Sequence, residues 1–453
     1  MSLQPPPPLT ANPLRRAAFE LAAERHVADR LPPGDTVPSV ARTRRMIRDP
    51  LGLLLDAYER HGPVFSVRIL HVRNVFVLGP EANHFVLVSH ADHFRWRDGA
   101  FADLIPLLGD GLLTIDGDFH RRSRRIVLPA FHRERIAAAE GIMREEAARA
   151  LAGWRDGERV DVYAWARALA LRVAMRALFG FDPDRAAGDL DAAAEFERAL
   201  AFYGYDYWLQ VMRGPGTPFA AMLSARRRLD RLIYAEIADR RASGRRGEDL
   251  LSLLLDGRDE DGAVLDDRHV RDEVMTLLFA GHDTTTATLA FMLYELARHP
   301  DVARRLAGEL DGPYLDQVLD ETLRLYPPAW IGPRRSVKPF ELHGRSVPEG
   351  VPVNYSSWAS HRLPDVWEDP EAFDPERFAP ARRSRIPKGA YVPFGGGSRI
   401  CVGMRFGQLE IKVIARAVLE RFRLERVPGH RLEIRQTPTL GPRGGLPMTV
   451  RAT

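Results

Sequence analysis

The run Phe394-Gly395-Gly396-Gly397-Ser398-Arg399-Ile400-Cys401-Val402-Gly403 joins three consecutive glycines, an arginine and the only cysteine of the chain. The glycines permit a tight backbone whose N–H groups can turn toward the sulfur, and a helix is expected to begin just after Cys401. Backbone donors and a helix N-terminus both favour a thiolate. A thiolate held this way can act as a nucleophile or as an axial ligand of haem iron, where it pushes electron density toward bound oxygen. With a single cysteine, the chain makes no internal disulfide and no multi-cysteine zinc or iron–sulfur site.

Ala280-Gly281-His282-Asp283-Thr284-Thr285-Thr286 is a second constellation, in the middle of a long helical pattern. Glycine costs about 1 kcal/mol against alanine in a helix interior, and β-branched threonines are poor helix formers. Such a segment predicts a local distortion, and a hydroxyl beside a carboxylate can relay protons into an apolar pocket. Glu321 and Arg324 are i,i+3 neighbours on a helix stopped by Pro327-Pro328, a pairing that many solvated helices also carry. His120 and Arg124 share a helix face and could grip a carboxylate, although Arg121, Arg122 and Arg125 make a basic solvated face the competing reading.

Taken in order, these motifs resemble the signatures of the cytochrome P450 family, F-x-x-G-x-R-x-C-x-G, A-G-x-D-T-T and the E-x-x-R helix, and the resemblance covers nearly the whole chain. It implies haem b (heme b, iron protoporphyrin IX) with Cys401 as proximal iron ligand, Phe394 beside the sulfur, and Arg399, His120 and Arg124 on the propionates. A further propionate contact is expected at Arg334 or Arg335, with Arg334 favoured by alignment to the family pattern. Thr284 would hydrogen-bond the activated dioxygen, Asp283 would feed protons from solvent, and Ala280 with Gly281 would leave room over the iron. Glu321, Arg324 and Arg377, the last from Phe373-Asp374-Pro375-Glu376-Arg377-Phe378, would form a buried structural triad. Gly407, where relatives often have alanine, and the short connection Leu310 to Tyr314 are the local departures.

The elements that must position these residues are mainly helical. Arg133 to Arg298 is rich in Ala, Leu, Arg and Glu with apolar residues at three- and four-residue spacing, broken at Gly157, Gly180 to Pro183, Gly214 to Gly216 and Gly257. Its last helix, Asp267 to Arg298, should stop at His299-Pro300. Val64 to Leu70 and Asn74 to Leu78 read as paired strands, Gly403 to Phe422 as a final helix, and Leu432 to Val450 as a hairpin. The expected fold class is mainly α with small β-sheets, a single large haem-binding domain over 36–453 behind a Pro-rich extension, 1–35, that a helix around Leu14 to Asp29 interrupts.

Composition narrows the partners. There are 65 basic and 61 acidic residues, only three of the former being lysines (Lys338, Lys388, Lys412), and the acids are interspersed, so no nucleic-acid stripe is expected. No run approaches the roughly 20 apolar residues of a membrane span, and a cytoplasmic monomer is expected. Beyond the haem domain no stretch remains for flavin or iron–sulfur modules, so electrons should come from a ferredoxin or flavodoxin with its NAD(P)H reductase, docking near Arg121, Arg122, Arg125 and Arg405. Phe94 to Leu113, Phe196 to Phe219 and Ala329-Trp330-Ile331 are the candidate substrate segments. Their aromatics (Phe202, Tyr203, Tyr205, Tyr207, Trp208) serve either helix packing or a lid over a medium or large apolar substrate such as a fatty acid, terpenoid or polyketide. The resemblance implies a monooxygenase using O2. Two rivals are a peroxide-driven oxygenase or isomerase on the same fold and a non-catalytic haem sensor, and the pair Asp283-Thr284 weighs against both.

Overall fold

The computed structural model describes residues 13–181, 192–247, 249–258, 262 and 264–453. Pro5 to Pro8 and the break at Asp182-Pro183 lie outside the described residues. Chain contacts define two compact units, one built on Leu104–Leu315 and Val402–Thr453, the other on 13–103 together with Asp316–Cys401.

The first unit is helical. Its long helix, Asp267–Arg298, starts on Asp266, whose carboxylate accepts the His269 N–H, and ends where the sequence places the stop, with Pro300 opening the next helix. It packs against the helices Val162–Val173, Pro218–Ser243 and Met404–Leu419. Surrounded in this way it is buried around most of its circumference, polar residues such as Arg271, Glu273 and Asp283 included. The helix runs through the threonine run without a break; Thr284 Oγ1 donates to Ala280 O at 2.7 Å, Thr286 Oγ1 to His282 O at 2.7 Å and Thr288 Oγ1 to Thr284 O at 2.9 Å. The hydroxyls bond the carbonyls four residues back, an arrangement that keeps the helix unbroken while favouring a slight bend. The tail is a smaller hairpin than expected, Ile434–Arg435 against Gly441–Pro442. Pro447–Ala452 instead inserts between Phe422–Arg426 and Arg159–Asp161.

The second unit is built on a six-stranded sheet in the order Gly34–Asp35, Val64–Ile69, Val72–Val77, Pro352–Tyr355, Gly332–Ser336, Phe94–Arg95. The strand pair expected near Val64 is present and antiparallel, from Val64 opposite Val77 to Ile69 opposite Val72. The N-terminal helix Pro13–Arg25 is tied to this sheet by Glu20 on Arg335 and Glu24 on Arg68 and Arg73. Mainly helical with small sheets, the architecture agrees with the expected fold class. Among the described residues no helix is long and apolar enough to cross a membrane.

Candidate active site

In the second unit the cysteine loop closes on itself. Cys401 N–H donates to Phe394 O at 3.0 Å and Gly395 N–H to Val392 O at 3.1 Å, while Gly397–Arg399 forms a short 3-10 turn. Gly397 is needed twice over, since its φ of +59° is left-handed and a Cβ there would stand 2.2 Å from Leu87 O. Cys401 ends this loop exposed.

Glu321, Arg324 and Arg377 meet in one buried network. Arg324 grips Glu321 with both nitrogens, Nε to Oε2 at 2.7 Å and Nη2 to Oε1 at 2.8 Å, and Arg377 Nε reaches Oε1 at 3.3 Å. Glu321 Oε1 also takes the Asp374 N–H at 2.9 Å, and Arg324 spends its remaining donors on the carbonyls of His361, Pro370 and Ala372. Burial pushes the pKa of Glu321 up, and the two guanidiniums and the Asp374 N–H oppose it. Beside this network His361 is fully buried, with Nδ1 on Arg324 O at 3.2 Å and Nε2 on the Val392 N–H at 2.9 Å. A carbonyl only accepts and an amide only donates, so the imidazole is the neutral Nδ1–H tautomer. Burial, helped by the Arg324 charge, lowers its pKa to about 3.

Of the two adjacent arginines, Arg335 is committed to the protein, on Asp98 O at 3.1 Å, Gly350 O at 2.5 Å and the Glu20 carboxylate. Arg334 donates from Nη1 to Pro333 O at 2.9 Å and lies over Trp96, its Cζ 3.4 Å from the ring centroid, and Arg399 approaches the same ring at 5.3 Å.

In the first unit one observation stands out along the long helix. From His269 to Leu293 every residue is buried except Ala280, Gly281 and Thr284, which lie at i, i+1 and i+4 on one face. A Cβ on Gly281 would meet only Leu178 Cδ1, at 4.0 Å, so packing does not demand glycine there. The missing side chain leaves space against the helix.

Asp283 is sealed rather than open to solvent. Arg167 Nη1 holds Oδ1 at 2.7 Å, Arg435 Nη2 stands 3.5 Å from it, and the Thr439 hydroxyl donates to Oδ2. Burial alone would raise its pKa, but the two guanidiniums and the hydroxyl hold it below the ordinary carboxylate value. Arg167 is in turn braced by Glu197 at 2.8 Å, and Glu197 also lies 3.2 Å from His282 Nε2.

His120 and Arg124 fall on one face of the helix Gly117–Val127, His120 buried and Arg124 partly so. Arg121, Arg125 and Arg405 are exposed and Arg122 partly exposed. Among the aromatics, Phe202 and Tyr203 are buried, Phe202 packing edge-on to Phe219, whereas Tyr205, Tyr207 and Trp208 are exposed. Trp330 packs on Trp358 with centroids 5.9 Å apart.

Within the second unit the residues fit a haem held through sulfur: a thiol at the end of a tight glycine loop, with the buried Arg334 and the partly buried Arg399 as candidate partners of its propionates. The comparisons agree. The family model described as Cytochrome P450 matches residues 43–445. The chain is a member of that family. As a P450 it is an oxidoreductase, a monooxygenase whose family binds haem through a thiolate. It is 34% identical to a cyclooctat-9-en-7-ol 5-monooxygenase of Streptomyces melanosporofaciens over 92% of this chain and 94% of that protein. It is 34% identical to a cyclooctatin synthase of the same organism over 94% of this chain and 96% of that protein. Among solved structures, the retinoic acid-bound cyanobacterial CYP120A1 superposes with a TM-score of 0.83 at 29% identity, covering 93% of this chain and 99% of that one.

Sequence reasoning missed the residues that this P450 wraps around Asp283 (Arg167, Arg435, Thr439, Glu197), as well as His361 and Trp96. Arg167 sits in an Ala-, Leu- and Arg-rich helix like many other arginines of the chain, so nothing local marked it. A second omission is Glu410 on Met404–Leu419, buried with only the Thr285 hydroxyl to bond it, so that burial raises its pKa to about 8. The Gly407 departure is harmless, since a Cβ there would stand 3.7 Å from Thr285 Oγ1, an ordinary contact.

Proposed function

We propose that the chain hydroxylates or epoxidises a medium-to-large apolar small molecule of terpenoid type. It uses O2 and electrons from a separate ferredoxin or flavodoxin with its NAD(P)H reductase, and acts as a cytoplasmic monomer with residues 36–453 as one haem domain. The observation that carries the reading is the single accessible face of the long helix, Ala280, Gly281 and Thr284, in an otherwise buried stretch. The two terpenoid-type relatives from Streptomyces support the substrate class over a fatty acid or polyketide.

Cys401 would hold haem b through its sulfur and Arg399, Arg334, His120 and Arg124 would meet its propionates, and the bound group would supply oxygen activation. Phe394 shields the sulfur, and Ala280 and Gly281 keep the helix face clear. Thr284 gives its proton to Ala280 O and so presents its oxygen as an acceptor. Asp283, held ionised, can take up a proton only when Arg167 lets go of Oδ1, which makes proton entry a gated step. Glu321, Arg324 and Arg377 fix the backbone ahead of the cysteine loop. The exposed Arg121, Arg125 and Arg405, with Arg122, offer a basic docking face for an acidic electron donor.

The test begins with the absorption spectrum of the dithionite-reduced protein under carbon monoxide, where a Soret band far to the red is expected. Diterpene alcohols are then titrated for the spin-state change of a bound substrate, and turnover is compared with reduced ferredoxin and with hydrogen peroxide. Turnover with peroxide alone would overturn the monooxygenase route, and spectral binding of fatty acids but not of terpenoids would overturn the substrate class.

A further inference from the structure

We infer that Trp96 is a positioning residue of the cofactor site, its indole holding the guanidiniums of Arg334 and Arg399 in place before the haem arrives. The inference rests on the proposed role of both arginines in gripping the propionates, and all of its geometry lies within one unit. Arg95 pairs with Arg335 across the antiparallel strands Phe94–Arg95 and Gly332–Ser336, so the next neighbours along the register are Trp96 and Arg334. Arg334 accordingly stacks on the indole, its Cζ 3.4 Å from the centroid, and the Tyr355 ring stands 5.4 Å from the same Cζ. Arg399 arrives from the cysteine loop and places its Cζ 5.3 Å from the same indole.

The indole is itself held. Gly99 N–H closes a turn onto Trp96 O at 3.0 Å, and Phe101 folds back to stack on Trp96 with centroids 5.0 Å apart and planes at 13°. Glycine lets this turn cross the neighbouring strand, because a Cβ at position 99 would already stand 3.1 Å from Pro333 O and Arg334 N.

Two guanidiniums near one ring repel each other, and the face of an indole is the aromatic surface that attracts cations best. A carboxylate at position 96 would also hold them, but it would consume the in-plane N–H donors that a propionate needs. Stacking engages the face of the guanidinium and not its in-plane donors, one of which, Arg334 Nη1, donates to Pro333 O at 2.9 Å. Arg334 is 2% exposed, so water screens little of this attraction.

The experiment measures haem transfer from the loaded protein to excess apomyoglobin, together with the haem reduction potential, in the wild type, Trp96→Leu, Trp96→Phe and Arg334→Ala. Trp96→Leu is expected to speed haem loss on the order of tenfold and to lower the potential, because a cation beside the propionate is held less well. Trp96→Phe should restore most of both. If Arg334→Ala speeds haem loss while Trp96→Leu leaves rate and potential at wild-type values, the positioning role is refuted and the propionate reading stands. The same role is refuted if Trp96→Phe is no better than Trp96→Leu, since the ring would then only fill space. If Arg334→Ala changes neither quantity, the propionate reading falls and this inference with it.

Discussion

His361 makes the folded protein sensitive to mild acid, by an amount that follows from its surroundings. Unfolded, the imidazole takes up a proton near pH 6.5, whereas in the fold its pKa is about 3. Between those values the unfolded chain binds the extra proton, so stability falls as pH drops through the window from 6.5 to 3 and is fully present above it. At pH 5 the cost is about 1.5 pK units at 1.36 kcal/mol each, or about 2 kcal/mol relative to pH 7. Glu410 works in the opposite sense, because its pKa is raised from 4.5 to about 8, and it loses stability as pH rises through that window. The wild-type curve therefore mixes the two, and a variant that removes one titration separates them. Gln in place of His361 keeps an acceptor for the Val392 N–H and a donor for Arg324 O without titrating. Urea unfolding followed by far-ultraviolet circular dichroism at pH 7 and pH 5 should show the wild type losing about 2 kcal/mol more than His361→Gln over that interval. Parallel losses in the two proteins would refute the assigned tautomer and the dry environment on which the figure depends.

Cys401→His should still bind haem, but the Soret band of its reduced carbon monoxide complex should return to the position of a histidine-ligated haem. Gly397→Ala places a Cβ 2.2 Å from Leu87 O at a φ of +59° and should cost about 1–3 kcal/mol in thermal or urea unfolding. Gly281→Ala, with no protein atom nearer than 4.0 Å, should change stability by less than about 1 kcal/mol while weakening carbon monoxide binding to the reduced protein. Arg167→Leu leaves Asp283 buried with one fewer cation and should cost about 3–5 kcal/mol. Adding Asp283→Asn should recover part of that loss, and a strictly additive double variant would show that the pair is not coupled. Arg324→Lys forfeits the two-point grip on Glu321 and should leave little haem in the purified protein, read as the ratio of Soret to protein absorbance.

Much of this molecule is legible in one dimension because its chemistry is written in contiguous residues. The cysteine loop needs its glycines, arginine and cysteine within ten positions, and local backbone sterics at Gly397 enforce the pattern wherever the loop sits. The long helix could be bounded to the residue at Arg298, since Pro300 removes a donor and restricts the residue before it. Glu321 and Arg324 could be paired because one helical turn brings them together. Propensity alone did not show what the threonine run does, because it counts the cost of β-branching but not the carbonyl four residues back that accepts the hydroxyls of Thr284, Thr286 and Thr288 in an unbroken helix.

What the tertiary structure decided lies in contacts between distant segments. Asp283, expected to feed protons from solvent, meets Arg167 from an earlier helix and Arg435 and Thr439 from the tail, which seal it. Trp96 meets Arg334 because strand register, set by the whole sheet, makes them neighbours across 238 positions of chain. The neutrality of His361 depends on a carbonyl and an amide that approach it from either side. Residue type alone fixes what a side chain can do, but its charge state depends on water and neighbours, and those are settled only when the chain has folded.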